Sequence, residues 1–126
     1  MKRLILFSLA LAACGPDETI SAFGGGDDYV LQEMNGTAIT VPITLNIADS
    51  GQISGQAPCN GYSADQSAPY PWFALGPIAA TRRACPELAL ETQYFETLAR
   101  MTIAEVSGPV LILSNEAREM LVFQSP

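Results

Sequence analysis

Two cysteines at the ends of a long loop constrain this chain more than any other feature. Cys59 lies in the segment 55–62, and Cys85 lies in the segment 81–86. If Cys14 serves another purpose, these are the only two thiols left, and in an oxidising compartment they are expected to bond to each other. The bond would close a loop of about 27 residues, which the chain-entropy model values at about 3.5 kcal/mol. That is a large share of the stability of a small domain.

The beginning of the chain has the pattern of an export signal. A positive start at Lys2 and Arg3 is followed by a short apolar run, which is too short to cross a bilayer as a helix. The run ends in Leu-Ala-Ala-Cys-Gly at 11–15, which resembles a bacterial lipobox. We expect residues 1–13 to be removed and Cys14 to carry a diacylglycerol and an amide-linked acyl chain, which together make a stable anchor. An ordinary signal peptide, with Cys14 free or discarded, is the alternative.

The residues after Cys14 predict a cellular location and a flexible tether. Gly15 stands where an aspartate would resemble the signal for retention in the inner membrane. The expected location is therefore the periplasmic face of the outer membrane. Residues 14–27 combine turn-forming and acidic residues with little apolar content, which predicts a flexible tether. Residues 28–126 then form one domain.

The charge and the missing residue types exclude several functions. The formal net charge is −7 and becomes −9 when Lys2 and Arg3 leave with the signal, so nucleic-acid binding is not expected. The chain has no histidine, and Lys2 is its only lysine. The mature protein therefore lacks the usual general base, the commonest nitrogen ligand for metals and a Schiff-base amine. We expect no catalysis, cofactor or metal.

Alternating apolar residues predict strands in the first half of the domain. Residues 29–34 form a first strand that ends at the turn dipeptide Asn35-Gly36. Within 41–47 every second residue is apolar, the period of a strand with one buried face. Pro42 places that end at a sheet edge or a strand start. A turn at 49–51 leads into residues 52–55, which predicts a hairpin.

The second half of the domain predicts one helix and several short strands. Residues 58–71 are rich in turn-forming residues and are expected to be irregular. A helix is predicted over about 86–100, with Leu88, Glu91, Tyr94, Phe95, Leu98 and Met101 on or beside its apolar face. Short extended segments are predicted at 72–75, 78–81, 102–106, 110–113 and 119–123. The predicted fold is mainly β with one helix, a small antiparallel β-barrel or strongly curled sheet of about 7–8 strands with the helix packed on it.

The order of these landmarks resembles the META domain of the HslJ-type envelope lipoproteins. Residues 28–124 carry the resemblance, and its most specific part is Cys-Asn-x-Tyr followed at this distance by Thr-Arg-x-x-Cys-Pro. The signature residues in this chain are Asn60, Tyr62, Thr81, Arg82 and Pro86. Two positions depart from the family pattern, since Tyr29 replaces a usual tryptophan and Pro58 replaces a usual glycine.

The resemblance implies a β-rich envelope domain that is associated with heat shock and antibiotic sensitivity and has no established biochemical activity. Pilot lipoproteins of secretion systems have a related open-barrel form and can hold lipid, but a shared fold alone assigns no function.

The signature residues have structural interpretations. Asn60 and Gly61 are interpreted as turn formers, and Tyr62 as a packed ring with a bonded hydroxyl. For Arg82 and Arg83, pairing with nearby acids is favoured over recognition of an anionic partner. The two cysteines are interpreted as structural, because they do not form a Cys-x-x-Cys motif.

Two functional hypotheses follow. The first is a non-enzymatic, monomeric outer-membrane lipoprotein that is held to the membrane through Cys14 and acts through contacts with an envelope protein in envelope maintenance or stress response. The alternative is a carrier that holds a small apolar ligand or lipid inside the barrel. A continuous apolar cavity would support the carrier, whereas a filled core would count against it.

Overall fold

The computed structural model describes residues 17–126, which contain one curled antiparallel sheet with a helix packed on it. The helices are α1 (Ser21–Gly24) and α2 (Leu88–Ala99), and a single 3₁₀ turn covers Asp49–Gly51. The strands are β1 (Asp28–Met34), β2 (Thr37–Ala38), β3 (Thr44–Ile47), β4 (Ile53–Gln56), β5 (Gly61–Ala64), β6 (Ala79–Ala80), β7 (Ile103–Ser107), β8 (Val110–Ser114) and β9 (Met120–Gln124).

The nine strands lie in the order β6-β5-β4-β3-β1-β9-β8-β7, with β2 paired to β1 outside this path. The two outer strands, β6 and β7, do not pair with each other, so the sheet is not closed. The curled sheet that the sequence predicts is therefore confirmed, and the closed barrel is wrong. Isolated bridges join Gln66 to Leu75 and Trp72 to Ile103, so the segment between β5 and β6 reaches β7 without forming a strand of its own.

Alternation along the strands fills the concave side of the sheet. In and just before β3, the side chains of Ile43, Leu45 and Ile47 are buried while their neighbours are not, as the period-2 pattern predicts. The same alternation buries residues of β8 and β9. The core side chains from these strands and from α2 include Tyr29, Leu31, Ile43, Leu45, Ile47, Ile53, Tyr94, Leu98, Leu111, Leu113, Leu121 and Phe123.

Helix α2 buries a face slightly different from the predicted one. Its buried residues are Glu91, Tyr94, Thr97 and Leu98, whereas Leu88 is 41% exposed. Leu88 lies one turn before Glu91, where it borders an open depression instead of the sheet. The prediction of the helix is confirmed, and the prediction that Leu88 belongs to its packed face is wrong.

The first described residues belong to the folded domain. Ile20 is completely buried, and the Gly26 N–H donates to the Ile47 carbonyl at 3.0 Å. The Ser21 hydroxyl donates to the Ala48 carbonyl and accepts from the Gly51 N–H at 2.6 Å. The predicted tether over 14–27 is therefore wrong from residue 17 onward, because these long-range contacts hold the segment on the sheet.

The segment 58–71, predicted to be irregular, contains β5. This strand pairs with β4 on one side and β6 on the other, and it buries Tyr62 and Ala64. Only these two inward residues are apolar, and the strand is just four residues long, so the local pattern is weak. Conversely, the predicted strand at 72–75 forms only isolated bridges.

Gly55 provides a test of the close packing between β4 and its neighbours. A Cβ atom at Gly55 would clash with the carbonyl oxygen of Thr44 and lie 3.0 Å from Cε1 of Tyr62. We expect Gly55→Ala to lower the free energy of unfolding by about 2 kcal/mol, because the added methyl forces backbone to shift. Urea unfolding followed by circular dichroism measures this. Gly61→Ala is the matched control, since its nearest contact would be 3.7 Å away; equal losses in both variants would contradict the close approach.

An ion pair joins Arg100, directly after α2, to Glu119, directly before β9. The Arg100 guanidinium donates to both carboxylate oxygens of Glu119 at 2.8 and 2.7 Å, and Asn115 donates to the same carboxylate at 3.0 Å. These hydrogen bonds, with that from Arg100 the largest cause, lower the pKa of Glu119 from 4.5 to about 2.

This pKa gives a prediction for acid unfolding. Because folding lowers the pKa of Glu119, its contribution to stability is complete above the unfolded value and is lost as the pH falls through the folded value. We expect Glu119→Gln to be less stable than wild type at neutral pH and the gap to narrow between pH values of about 4.5 and about 2. Urea titrations across this range measure it, with Glu116→Gln on the same loop as the control. A gap that is independent of pH would contradict the prediction.

Candidate functional site

A buried polar cluster joins β5, α2 and the segment before the helix. The carboxylate of Glu91 accepts the backbone N–H groups of Cys59 and Asn60 on one oxygen, at 3.0 and 2.8 Å. Its other oxygen accepts the side-chain amide of Asn60 at 2.6 Å. The amide oxygen of Asn60 accepts the Arg83 N–H at 2.6 Å and the Thr81 hydroxyl at 2.9 Å, and its nitrogen also donates to the Arg83 carbonyl at 3.0 Å.

These contacts use the full hydrogen-bonding capacity of the Asn60 side chain. Two donors and two acceptor positions on one side chain are all occupied, and the side chain is only 3% exposed. Glu91 is likewise 4% exposed and engaged at both oxygens. Such a cluster specifies one arrangement of three chain segments, and its polar groups bond mainly to one another.

A second polar contact lies deeper, between β3, β5 and α2. The hydroxyl of Tyr62 donates to the Thr44 carbonyl at 2.8 Å and lies 2.7 Å from the hydroxyl of Tyr94. Burial raises the pKa of both phenols, and their proximity raises that of Tyr94 further. The ring of Phe95 packs edge-on to Tyr62 at 5.3 Å between centroids. Tyr62 is therefore the packed ring with a bonded hydroxyl that the sequence predicts.

The disulfide lies beside the polar cluster. Cys59 and Cys85 are bonded, with their Cα atoms 5.5 Å apart. Cys59 directly precedes Asn60, and Cys85 lies three residues before the first residue of α2, where its carbonyl accepts the Leu88 N–H at 3.1 Å. The covalent bond and the Asn60–Glu91 hydrogen bonds thus join the same two regions, the start of β5 and the start of α2.

The structure brings together some of the signature residues but not all. Asn60, Tyr62 and Thr81 take part in the contacts above. Arg82 is exposed, and Pro86 follows the disulfide at the approach to the helix. The remaining predicted site residue, Cys14, lies outside the described residues.

Two interpretations of the signature residues need correction. Asn60 is not a turn former but the centre of a hydrogen-bond network, and Gly61 is the first residue of β5. Arg82 and Arg83 were expected to pair with acids, yet within residues 17–126 the single ion pair is that of Arg100 with Glu119. The carboxylate nearest in sequence that points inward, Glu91, is already satisfied by N–H donors.

Sequence reasoning did not assign a site role to Glu91. The signal was present, because an acidic residue stands on the apolar face of the predicted helix, where a charge is costly unless it is hydrogen-bonded. Its partners were not recognisable, since two of the three are backbone N–H groups from a segment about thirty residues earlier.

Gln66 is a further buried polar residue, close to the 3₁₀ turn. Its side-chain oxygen accepts the N–H groups of Ala68 and Ala74 at 2.9 and 3.3 Å. Its side-chain nitrogen has no hydrogen-bond partner in the described part of the chain. The oxygen therefore orders the loop between β5 and β6.

The described residues offer neither a metal cluster nor a membrane-crossing helix. Among residues 17–126, no three acidic or cysteine side chains come together in a way that would hold a metal ion. Neither α1 nor α2 has the length and hydrophobicity needed to traverse a bilayer.

Several depressions on the described surface are open to solvent, and the concave face of the sheet is filled by side chains. One depression of about 310 Å³ lies above the polar cluster and is lined by Asn60, Thr81, Arg82, Arg83, Ala84, Leu88 and Glu91. Another, of about 430 Å³, lies at the beginning of the described chain between Asp17, Glu18, Ala22, Phe23, Pro69 and Tyr70.

A nine-stranded curled sheet with one packed helix, held by a disulfide and a buried carboxamide–carboxylate cluster, defines a small β-rich structural domain. The model of the META domain family matches residues 22–126. The chain belongs to the META domain family, as the signature residues predict.

Solved structures share the fold at low sequence identity. An NMR structure of a protein from Burkholderia xenovorans is 24% identical, covers 90% of this chain and 93% of its own, and has a TM-score of 0.66. A second NMR structure is 23% identical, with coverages of 82% and 92% and the same TM-score. The crystal structure of a DUF4847-family protein from Bacteroides vulgatus is 10% identical, with coverages of 83% and 96% and a TM-score of 0.69. The search of curated proteins finds no significant match.

Proposed function

We propose that this protein is a non-enzymatic outer-membrane lipoprotein whose META domain acts through protein contacts in envelope maintenance or stress response. The observation that carries the proposal is the lipobox-like segment at 11–15, which ends only a few residues before the first packed residue of the domain. An acylated Cys14 would hold the domain at the membrane surface through its acyl chains. Gly15 favours the outer membrane.

The chemistry of the described side chains supports a non-enzymatic role. The mature chain lacks histidine and lysine. Among residues 17–126, Glu91 is the one buried carboxylate, and both of its oxygens accept hydrogen bonds from the protein itself. A general base needs an accessible lone pair within hydrogen-bond reach of a substrate, whereas Glu91 is only 4% exposed and already accepts three hydrogen bonds from the protein.

The basic pair supports the proposed protein contact. Arg82 and Arg83 are exposed, and the ion pair within residues 17–126 does not involve them. On a chain with a strong negative charge, they form a local positive region beside an open depression. A partner segment with carboxylates fits this region, because guanidinium groups bind carboxylates in a bidentate way. The filled core, in contrast, gives no support to the carrier alternative.

The anchor is tested by fractionating cells that produce the full-length chain. We expect the wild-type protein in the outer-membrane fraction, extractable with detergent, and the Cys14→Ser variant in a different fraction. A Ser8→Ala variant, with a small change inside the apolar run, is the matched control and should fractionate like wild type. A Cys14→Ser variant that stays in the outer membrane would contradict the anchor.

The protein contact is tested by placing a photo-crosslinking amino acid at Ala84, which is exposed beside the basic pair. We expect a discrete crosslinked product in intact cells that disappears when Arg82 and Arg83 are both replaced with serine. Arg118→Asn removes a positive charge elsewhere, at a position with φ of 64° that asparagine tolerates, and should leave the product intact. A product that is independent of the basic pair would contradict the proposed contact surface.

A further inference from the structure

An exposed aromatic patch lies where the described chain begins. Phe23 stacks on Tyr70 with 4.0 Å between ring centroids and an angle of 19° between planes, yet Phe23 is 55% exposed. Asp17 and Glu18 border the same depression. We call Ala22, Phe23, Pro69 and Tyr70 the aromatic patch.

The patch is held in a fixed position on the domain. The Tyr70 N–H donates to the Glu18 carbonyl at 2.6 Å, and the Tyr70 hydroxyl accepts the Val106 N–H at 3.0 Å. These bonds tie the loop before β6 both to the first described residues and to the edge strand β7. These two hydrogen bonds hold the Tyr70 ring in place, and Phe23 remains exposed beside it.

Chain length places this patch beside the proposed anchor. Asp17 lies three positions after Cys14, and this separation spans at most about 11 Å even when the chain is fully extended. Asp17 borders the patch, and Ile20, three residues later, is completely buried. Since residues from 17 onward belong to the domain, there is no long tether that would lift the patch away from the bilayer.

The chemistry of the patch suits the headgroup region of a bilayer. Headgroups extend roughly 5–8 Å beyond the hydrocarbon on each side, and exposed phenylalanine and tryptophan side chains of interfacial surfaces insert at this boundary. Asp17 and Glu18 flank the patch, and hydrogen bonds from Thr19 lower the pKa of Asp17, which keeps it charged. Two carboxylates at the rim disfavour anionic lipids and are compatible with zwitterionic ones.

From this geometry we infer that the aromatic patch docks into the zwitterionic headgroup layer next to the anchored Cys14, so that the domain lies directly on the membrane in one orientation. The inference rests on the proposed lipidation. It adds an orientation, since the patch faces the membrane while the depression beside Arg82 and Arg83 belongs to a different part of the surface.

The only tryptophan of the chain provides the measurement. Trp72 is 59% exposed and follows Tyr70 in a turn closed by its own N–H, which donates to the Pro69 carbonyl at 2.8 Å. Full-length mature protein, purified from its membrane, is reconstituted into phosphatidylcholine–phosphatidylethanolamine vesicles. The vesicles carry a nitroxide either at the headgroup or deep in the acyl chain, and quenching of the Trp72 fluorescence is compared.

We expect headgroup nitroxides to quench Trp72 about twofold more than deep ones, as for a residue at the interface. Phe23→Ser should reduce this quenching, and so should replacing part of the lipid with phosphatidylglycerol. Leu88→Ser is the matched control, because Leu88 is an exposed apolar residue that borders the depression beside Arg82 and Arg83. This variant should leave the quenching of Trp72 unchanged.

Failure of the inference and failure of the proposed function give different results. A preparation whose mass shows no acyl chains would overturn both. Acylated protein with unquenched Trp72 would overturn the docking alone, as would quenching that Phe23→Ser leaves unchanged. Circular dichroism of Phe23→Ser tests whether the variant is folded. If it is not folded, the depth of Trp72 quenching in the wild type alone decides whether the patch docks.

Discussion

Replacing both Cys59 and Cys85 with serine is expected to lower the free energy of unfolding by about 3.5 kcal/mol, because the unfolded chain regains the freedom of a loop of about 27 residues. For a domain of this size that corresponds to a fall of about 15–25 °C in the melting temperature. Differential scanning calorimetry of the oxidised wild type and the double variant measures it. The folded double variant should keep the same sheet, since the core side chains are unchanged.

Reduced wild-type protein is the matched control for the double variant, because both lack the bond while only one carries the substitutions. The two melting temperatures should agree closely. A reduced wild type that melts like the oxidised one would contradict a stabilising role for the bond.

Replacing Glu91 with glutamine is expected to lower the free energy of unfolding by about 3 kcal/mol, because buried groups lose charge-assisted hydrogen bonds and one contact becomes repulsive. The carboxylate accepts from three donors. A carboxamide has one acceptor oxygen, so its NH₂ group would face another donor, either the side-chain amide of Asn60 or the backbone N–H groups. Urea unfolding at neutral pH measures the loss.

Glu96→Gln is the matched control for this substitution. Glu96 lies on the same helix and is exposed, so its replacement should change the free energy of unfolding by only a few tenths of a kcal/mol, to order of magnitude. Amide hydrogen exchange gives a second measurement, since Glu91→Gln should speed exchange at Cys59 and Asn60 in particular. Equal stability of the Glu91 and Glu96 variants would contradict the structural role of the cluster.

The parts of the fold that were predictable are those whose information is local. Residues 41–47 alternate apolar and polar side chains, and β3 buries the predicted face. The helix after Pro86 has its own 3.6-residue period, and α2 lies within the predicted range. The last three strands are short apolar segments separated by turn residues, and each appears within one or two residues of its predicted bounds.

The parts that were not predictable depend on pairing and contacts between segments of the chain. The strand β5 looks irregular by composition, and only its pairing with β4 and β6 makes it a strand. The segment 17–27 has the composition of a tether, yet the Ser21 hydroxyl donates to the Ala48 carbonyl, and the Gly26 N–H donates to the Ile47 carbonyl. Composition does not reveal such contacts, so the length of the tether was overestimated.

The candidate site shows the same division. The positions of Asn60, Tyr62 and Thr81 were recognisable as a signature. The bond between Cys59 and Cys85 was expected from the count of cysteines, because these two remain if Cys14 serves another purpose. The roles of Asn60 and Glu91 were not recognisable, because a buried amide–carboxylate contact needs the relative placement of β5 and α2. That placement follows from the fold as a whole.

The proposal depends most directly on the covalent state of the mature protein. Intact mass spectrometry, combined with thiol alkylation, measures this state in material purified from cells that produce the full-length chain. We predict a chain that begins at Cys14, carries a diacylglycerol and an amide-linked acyl chain, and takes up no alkylating reagent at Cys59 or Cys85 before reduction. A mature chain without acyl groups, or one in which both of these cysteines react as free thiols, would contradict the account.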